Sequence, residues 1–269
     1  MTGMAGTLRL VVGLDDSGRC ALREQYCSQL YRVLRVIPGE VPEEGMLYVL
    51  NPTGGVLRGD RLEADISVQP GAHAIVTTPS ATKLYRADRL SAESRTRLRV
   101  AAGATLEYLP EPLIPYAGSW YVEHLTMDVE AGGRLLFWEI LSPGRGARGE
   151  LFDYELLGFR LDVREGGAVL LRERVDLRPS REKLPALSMG EETHYGMLLA
   201  IGGDSGCLEA AIREELGTDR AGVSRLRGSG LVVKALAKGT RCLESLFRRI
   251  RERVLTEWTG RRATPLRAT

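Results

Sequence analysis

Two acids stand at equivalent places in a recurring pattern. Glu139 and Glu173 each lie seven residues after a glycine, Gly132 and Gly166, while two earlier copies carry Thr78 and Pro110 there, with Glu111 one position further. If the copies are stacked strands, equivalent positions lie side by side about 4.8 Å apart. A column of carboxylates at that spacing must be exposed, protonated or sharing a cation. A third acid, Asp60, closes the glycine-rich run Asn51-Pro-Thr-Gly54-Gly55-Val-Leu-Arg-Gly59-Asp60. That run lacks the Gly-Lys-Ser/Thr end of a phosphate loop and the GxGxxG turn of a dinucleotide site, and no helical pattern follows it. It reads equally as a pair of tight turns capped by Asp60.

The run Thr77-Thr78-Pro-Ser-Ala-Thr82-Lys83 offers hydroxyls and an ammonium to an anion or polar partner, or forms a solvated loop with hydroxyl turns. Arg145 and Arg148 sit in a glycine-rich loop with the geometry to grip a carboxylate or phosphate. The three histidines, His73, His124 and His194, never fall in HxH or HExxH spacing, which argues against a tight zinc-type site and leaves a transient, carboxylate-based divalent site open. No G-x-S-x-G elbow is present, and Cys20, Cys27, Cys207 and Cys242 show no CxxC spacing. Cys207 and Cys242 are expected as small core residues on apolar helical faces.

These residues must be positioned by strands. The pattern aliphatic-x-Val-x-x-Gly-Ala/Gly occurs at Ile66–Ala72, Leu98–Ala104, Met127–Gly133 and Leu161–Gly167. Each copy reads as a strand, a tight glycine turn and a returning strand. One hairpin cannot bury its apolar face alone, so the copies are expected to stack into a β-solenoid or layered sheet; the alternative is four hairpins in an ordinary β-sandwich. The expected fold is mostly β, one unit spanning 1–269, with a β body over about 1–200. A helix-containing part follows from about 201, with helices over 207–216 and Thr240–Trp258 and a strand at Leu231–Ala237 between them.

Composition narrows the function. The net charge of +2 over 269 residues, without aromatic interleaving of basic residues, argues against nucleic-acid binding. Charge is nevertheless divided: residues 207–269 carry 14 basic and 7 acidic side chains, the preceding residues 23 and 28. A basic helical end on a mildly acidic body suits a protein-contact surface or a solvated face. No stretch reaches the roughly 18–20 apolar residues of a membrane span, and the N-terminus lacks a secretory signal pattern; the expected location is cytoplasmic.

Four ordered segments, NPTGGVLRGDRLEADI (51–66), GAHAIVTTPSATKLYR (71–86), GATLEYLPEPLIPY (103–116) and LLFWEILSPGRGARGELF (135–152), resemble the urease accessory protein D family, UreD or UreH. The resemblance is strong from about Leu47 to Leu177 and poorest over the first 46 residues. It implies a non-enzymatic maturation factor with a stacked β fold and two helices near the C-terminus. It further implies a scaffold between apo-urease and accessory proteins F and G, with G the GTPase, and homodimerisation within the F complex. No permanent cofactor is implied; Ni²⁺ would pass through in transit. The carried-over motif residues are Asp60, Glu139, Glu173, Thr82 and Lys83, and the expected route-lining acids are Asp60, Glu139 and Glu173, with Glu63 a further one. Oxygen ligands hold Ni²⁺ more weakly than thiolate and imidazole, which suits a conduit. Competing expectations are acids simply paired with arginines such as Arg172 or Arg174, an enzyme acting on acidic polysaccharides or phosphorylated substrates, and a binding module without a metal role. The enzyme would need an open groove with carboxylates about 5 to 10 Å apart.

Overall fold

A computed structural model describes residues 3–88, 90–179 and 189–266. Chain order gives β1 (Ala5–Leu14), β2 (Cys20–Cys27), β3 (Arg32–Val33), β4 (Ile37–Pro38), β5 (Glu44–Leu50) and β6 (Arg61–Val68). There follow β7 (His73–Thr77), β8 (Thr82–Leu84), β9 (Ala92–Val100), β10 (Thr105–Leu109), β11 (Leu113–Pro115) and β12 (Trp120–Val129). The chain closes with β13 (Arg134–Leu141), β14 (Leu156–Glu165), β15 (Ala168–Leu177), β16 (His194–Ile201), helix α1 (Ser205–Leu216), β17 (Ala221–Arg225), β18 (Leu231–Ala237) and helix α2 (Thr240–Thr259).

Two sheets result. The first runs β15-β14-β12-β9-β6-β1-β2 and the second β17-β18-β16-β13-β10-β7-β5-β3, with β4, β8 and β11 attached beside that path. The glycine pattern explains their relation. In its first three copies the aliphatic-x-Val strand lies in the first sheet and the returning strand in the second, so the two strands do not pair with each other. Each instead pairs in parallel with its counterpart in the next coil, as Ile66↔Leu98 and Ala74↔Leu106 show. The turn is an arch between sheets, and Gly71, Gly103 and Gly132 hold its left-handed φ of +81°, +71° and +86°. Only the fourth copy is a true hairpin, β14 with β15, which ends the stack. The stacked coils are those of the expected solenoid-like fold; the expected pairing within each unit is corrected to pairing between units.

The apolar phase of the pattern faces inward. Ile66, Leu98, Met127 and Leu161 form one buried ladder and Val68, Val100, Val129 and Val163 the next, each side chain stabilising by about 1.5–3 kcal/mol. The opposite face of the second sheet carries a separate core, in which Ile75, Leu136, Trp138, Leu198 and Val233 meet Leu208, Ile212 and Leu216 of α1 and Leu243, Phe247, Ile250 and Val254 of α2. The molecule is therefore layered sheet, sheet, helices. Asp204 caps α1 by accepting from the Gly206 and Cys207 N–H groups, and Gly260 ends α2 in the left-handed conformation. Cys207 and Cys242 are exposed, not core residues: they fall beside the buried stripes rather than within them.

Candidate functional site

Between the two sheets lies a cavity of about 600 Å³, lined by Glu123, Glu139 and Glu173 among aromatic and aliphatic side chains. Strand parity puts the acids there. Glu139 shares the inward phase of Leu135, Phe137 and Leu141 on β13, and Glu123 that of Tyr121, Leu125, Met127 and Val129 on β12. Glu173 arrives from β15, where it pairs with inward Leu161. The strict column of equivalent positions thus ends at β13, yet its two acids face the same space from opposite sheets.

Glu123 and Glu139, both part-buried on the cavity wall, are hydrogen-bonded to each other, and desolvation pushes both carboxyls up from the ordinary carboxylate range. Glu139 is pushed up further because the charges of Glu123 and then Glu173 add to burial. Ser94 Oγ also donates to Glu123 Oε1 at 3.3 Å. Tyr121, Tyr108 and Tyr31 bring phenol groups into the same seam, each pushed up chiefly by burial and then by neighbouring charge. At the other end Glu173 accepts from Lys234 Nζ at 2.8 Å to each oxygen. Its partner is thus a lysine from the opposite sheet, not Arg172, which pairs with Asp162. Ser142, buried and lining the same cavity, has a hydroxyl with no hydrogen-bond partner among the described residues. The seam offers oxygen donors and an internal space, so its chemistry suits water and a weakly held hard or borderline cation. Among the described residues no three His, Cys, Asp or Glu side chains converge to hold a metal ion together.

The other sequence candidates lie elsewhere. Asp60 is 1% exposed, and its carboxylate accepts from the Met4 and Leu57 N–H groups at 2.9 Å, tying the first strand to the glycine-rich loop. Asn51 folds that loop by accepting from Thr53 and donating to Gly55 O, while Gly54, Gly55 and Gly59 take φ values of +75°, +159° and +74°. The threonine run docks on it: Val56 N–H donates to Lys83 O, and Tyr85 N–H to Val56 O. Thr77 donates to Leu109 O, Thr78 accepts from the Glu111 N–H, and Thr82 and Lys83 form β8 beside β11. None of these residues lines the cavity. Glu63 points outward from the first sheet, into a shallow surface hollow with Arg95 and Arg97.

Sequence reasoning missed Glu123 and the tyrosines, although an acid in the apolar phase of β12 was a readable signal. It also missed a second buried charge cluster, between the second sheet and α2. His73 Nδ1 lies 3.2 Å from Glu44 and Nε2 2.8 Å from Glu107, whose carboxylate accepts from Arg251 Nε at 2.5 Å. Arg251 also donates to Thr264 O at 2.8 Å, and Thr264 Oγ1 bonds back to Glu44. The ring closes. Burial alone would raise the Glu107 carboxyl, but Arg251 and His73 outweigh it and hold it down at about 2.

Fold and cavity together define a two-sheet β-solenoid, braced by helices on one face and carrying an acidic seam inside. The sequence matches the UreD urease accessory protein family over residues 4–269. Among similar proteins are urease accessory protein UreD of Opitutus terrae, 36% identical over 82% of this chain and 84% of the relative, and that of Pseudoalteromonas translucida, 31% identical over 97% and 89%. The counterpart in Actinomyces naeslundii is 30% identical over 91% and 92%. The chain belongs to the UreD family.

Proposed function

We propose that this protein is a non-catalytic urease maturation factor that links apo-urease to accessory proteins F and G and passes Ni²⁺ along its internal carboxylate seam in a GTP-dependent complex. The single observation that carries the conduit is that the hydrogen-bonded pair Glu123–Glu139 and Glu173 line one cavity, with Glu139 and Glu173 on opposite sheets. Two carboxyls forced to share a proton gain most from a cation that lets both ionise. Asp60 acts in this reading by holding the glycine-rich loop closed, and Glu63 stands outside the route.

In this reading the assembly works in the cytoplasm, which four unpaired cysteines support; no helix among the described residues is long and apolar enough to cross a membrane. The basic helical end is the surface offered to partners, with homodimerisation inside the F complex. The test is urease activation in a host lacking its own D protein. Glu139→Gln and Glu173→Gln should lower activation at least tenfold while co-purification with F stays intact. Full activation by both variants rejects the conduit.

A further inference from the structure

Among the described residues, cations lining the cavity are few, and most are committed. Arg160 donates to the Phe159 and Val175 carbonyls at 2.9 Å and to Asp176 at 2.6 Å. Arg220 donates to Met189 O at 2.9 Å and to Glu192. Lys234 alone among these meets an acid of the seam. Its ammonium lies 2.8 Å from both oxygens of Glu173, so the pair crosses from the second sheet to the first.

Register fixes where that contact falls. Glu139 pairs with Met197, and Met197 with Lys234, so the three stand in one cross-strand row on the cavity face. Lys234 is thus two strands, roughly 10 Å, from Glu139, and Glu173 reaches toward that row from the opposite sheet. The Lys234 side chain is 46% exposed and Glu173 24%. A lysine head on four methylenes, half in water, leaves such a pair easily.

We infer that Lys234 is a tethered counter-ion, occupying at Glu173 the place of a mobile divalent cation and displaced before that cation reaches Glu139. This rests on the conduit reading above and assigns its first contact. A monovalent ammonium holds the Glu173 side chain in place between passages. It also sets a threshold, because a divalent ion outcompetes it and monovalent ions do not. A lysine suits the role better than an arginine, whose planar fork would grip the carboxylate through two directed hydrogen bonds.

The test measures NiCl₂ binding to the full chain by equilibrium dialysis, with thermal unfolding as a check on each variant. Lys234→Met should tighten Ni²⁺ binding by about tenfold, the effect of removing one competing charge. Lys234→Gln should do the same with a polar stem, and Lys234→Arg should bind no better than wild type. Unchanged affinity in both neutral variants, with binding lost in Glu139→Gln, overturns the role of Lys234 and leaves the conduit standing. Wild-type Ni²⁺ binding in Glu139→Gln and Glu173→Gln together overturns the conduit itself, and the counter-ion with it.

Discussion

The second sheet carries carboxylates on both of its faces and treats them in opposite ways. On the helix side, Glu107 and Glu44 are locked in a closed ring with His73, Arg251 and Thr264. On the cavity side, Glu139 shares a proton with Glu123, and among the described residues neither forms an ion pair with a lysine or arginine. Buried charge is tolerated when every partner is supplied, and costs stability when it is not. A fully compensated cluster is a fastener, while an under-compensated one beside empty space is a place for a ligand. Substitutions should therefore change stability in opposite directions on the two faces.

The largest effect is expected at Arg251. Arg251→Met leaves Glu107, wholly buried, without its main counter-charge and frees the tail from α2. Breaking one partner of such a cluster costs about 3–5 kcal/mol, which urea unfolding of the chain would read directly. A loss below about 1 kcal/mol would mean that the ring is not what fastens α2 to the sheet.

Acid titration sharpens the same contrast. Glu107 is held at about 2 against an ordinary 4.5, so its contribution is fully present above about pH 4.5 and is lost as pH falls toward 2. Glu139 and Glu123 are raised, so theirs is fully present below the ordinary carboxylate range and is lost as pH rises above it. Wild-type stability should fall steeply between pH 4.5 and 2, and Arg251→Met should flatten that limb. Glu139→Gln should instead stabilise the protein at pH 8, where the raised carboxyl costs stability, while abolishing cation passage. A destabilised Glu139→Gln at pH 8 would mean the acid is structural.

Sequence periodicity carried the fold far and the site only halfway. The glycine pattern located the coils because a left-handed turn every thirty-odd residues leaves a mark on composition, as do Leu243, Phe247, Ile250 and Val254 along α2. It could not say whether β6 and β7 pair with each other, because an arch and a hairpin demand the same glycine. Glu139 and Glu173 were found by counting from those glycines. Glu123 was not, since its strand precedes the turn, and Arg251 was hidden as a charge inside an apolar stripe. Contacts such as Lys234 with Glu173, 61 residues apart, have no local signature at all. Asp60 shows the converse: a conspicuous motif residue whose carboxylate is fully occupied by two backbone N–H groups.

The smallest expected effect tests the boundary between inside and outside. Glu63 lies on the same strand as Leu62, Ala64 and Ile66, but in the opposite phase, and a strand turns alternate side chains to opposite faces. Its neighbours Arg95 and Arg97 already pair with Glu93 and Asp128 across the outer face. Removing one solvent-exposed charge there should change stability by less than about 0.5 kcal/mol, and the first sheet's buried ladder should shield the seam from the change. Glu63→Ala should therefore unfold at the wild-type urea concentration and bind NiCl₂ as wild type does. A loss of Ni²⁺ binding from this substitution, with stability unchanged, would show that cations also travel over the outer face, and the sharp division between compensated and open carboxylates would no longer define the route.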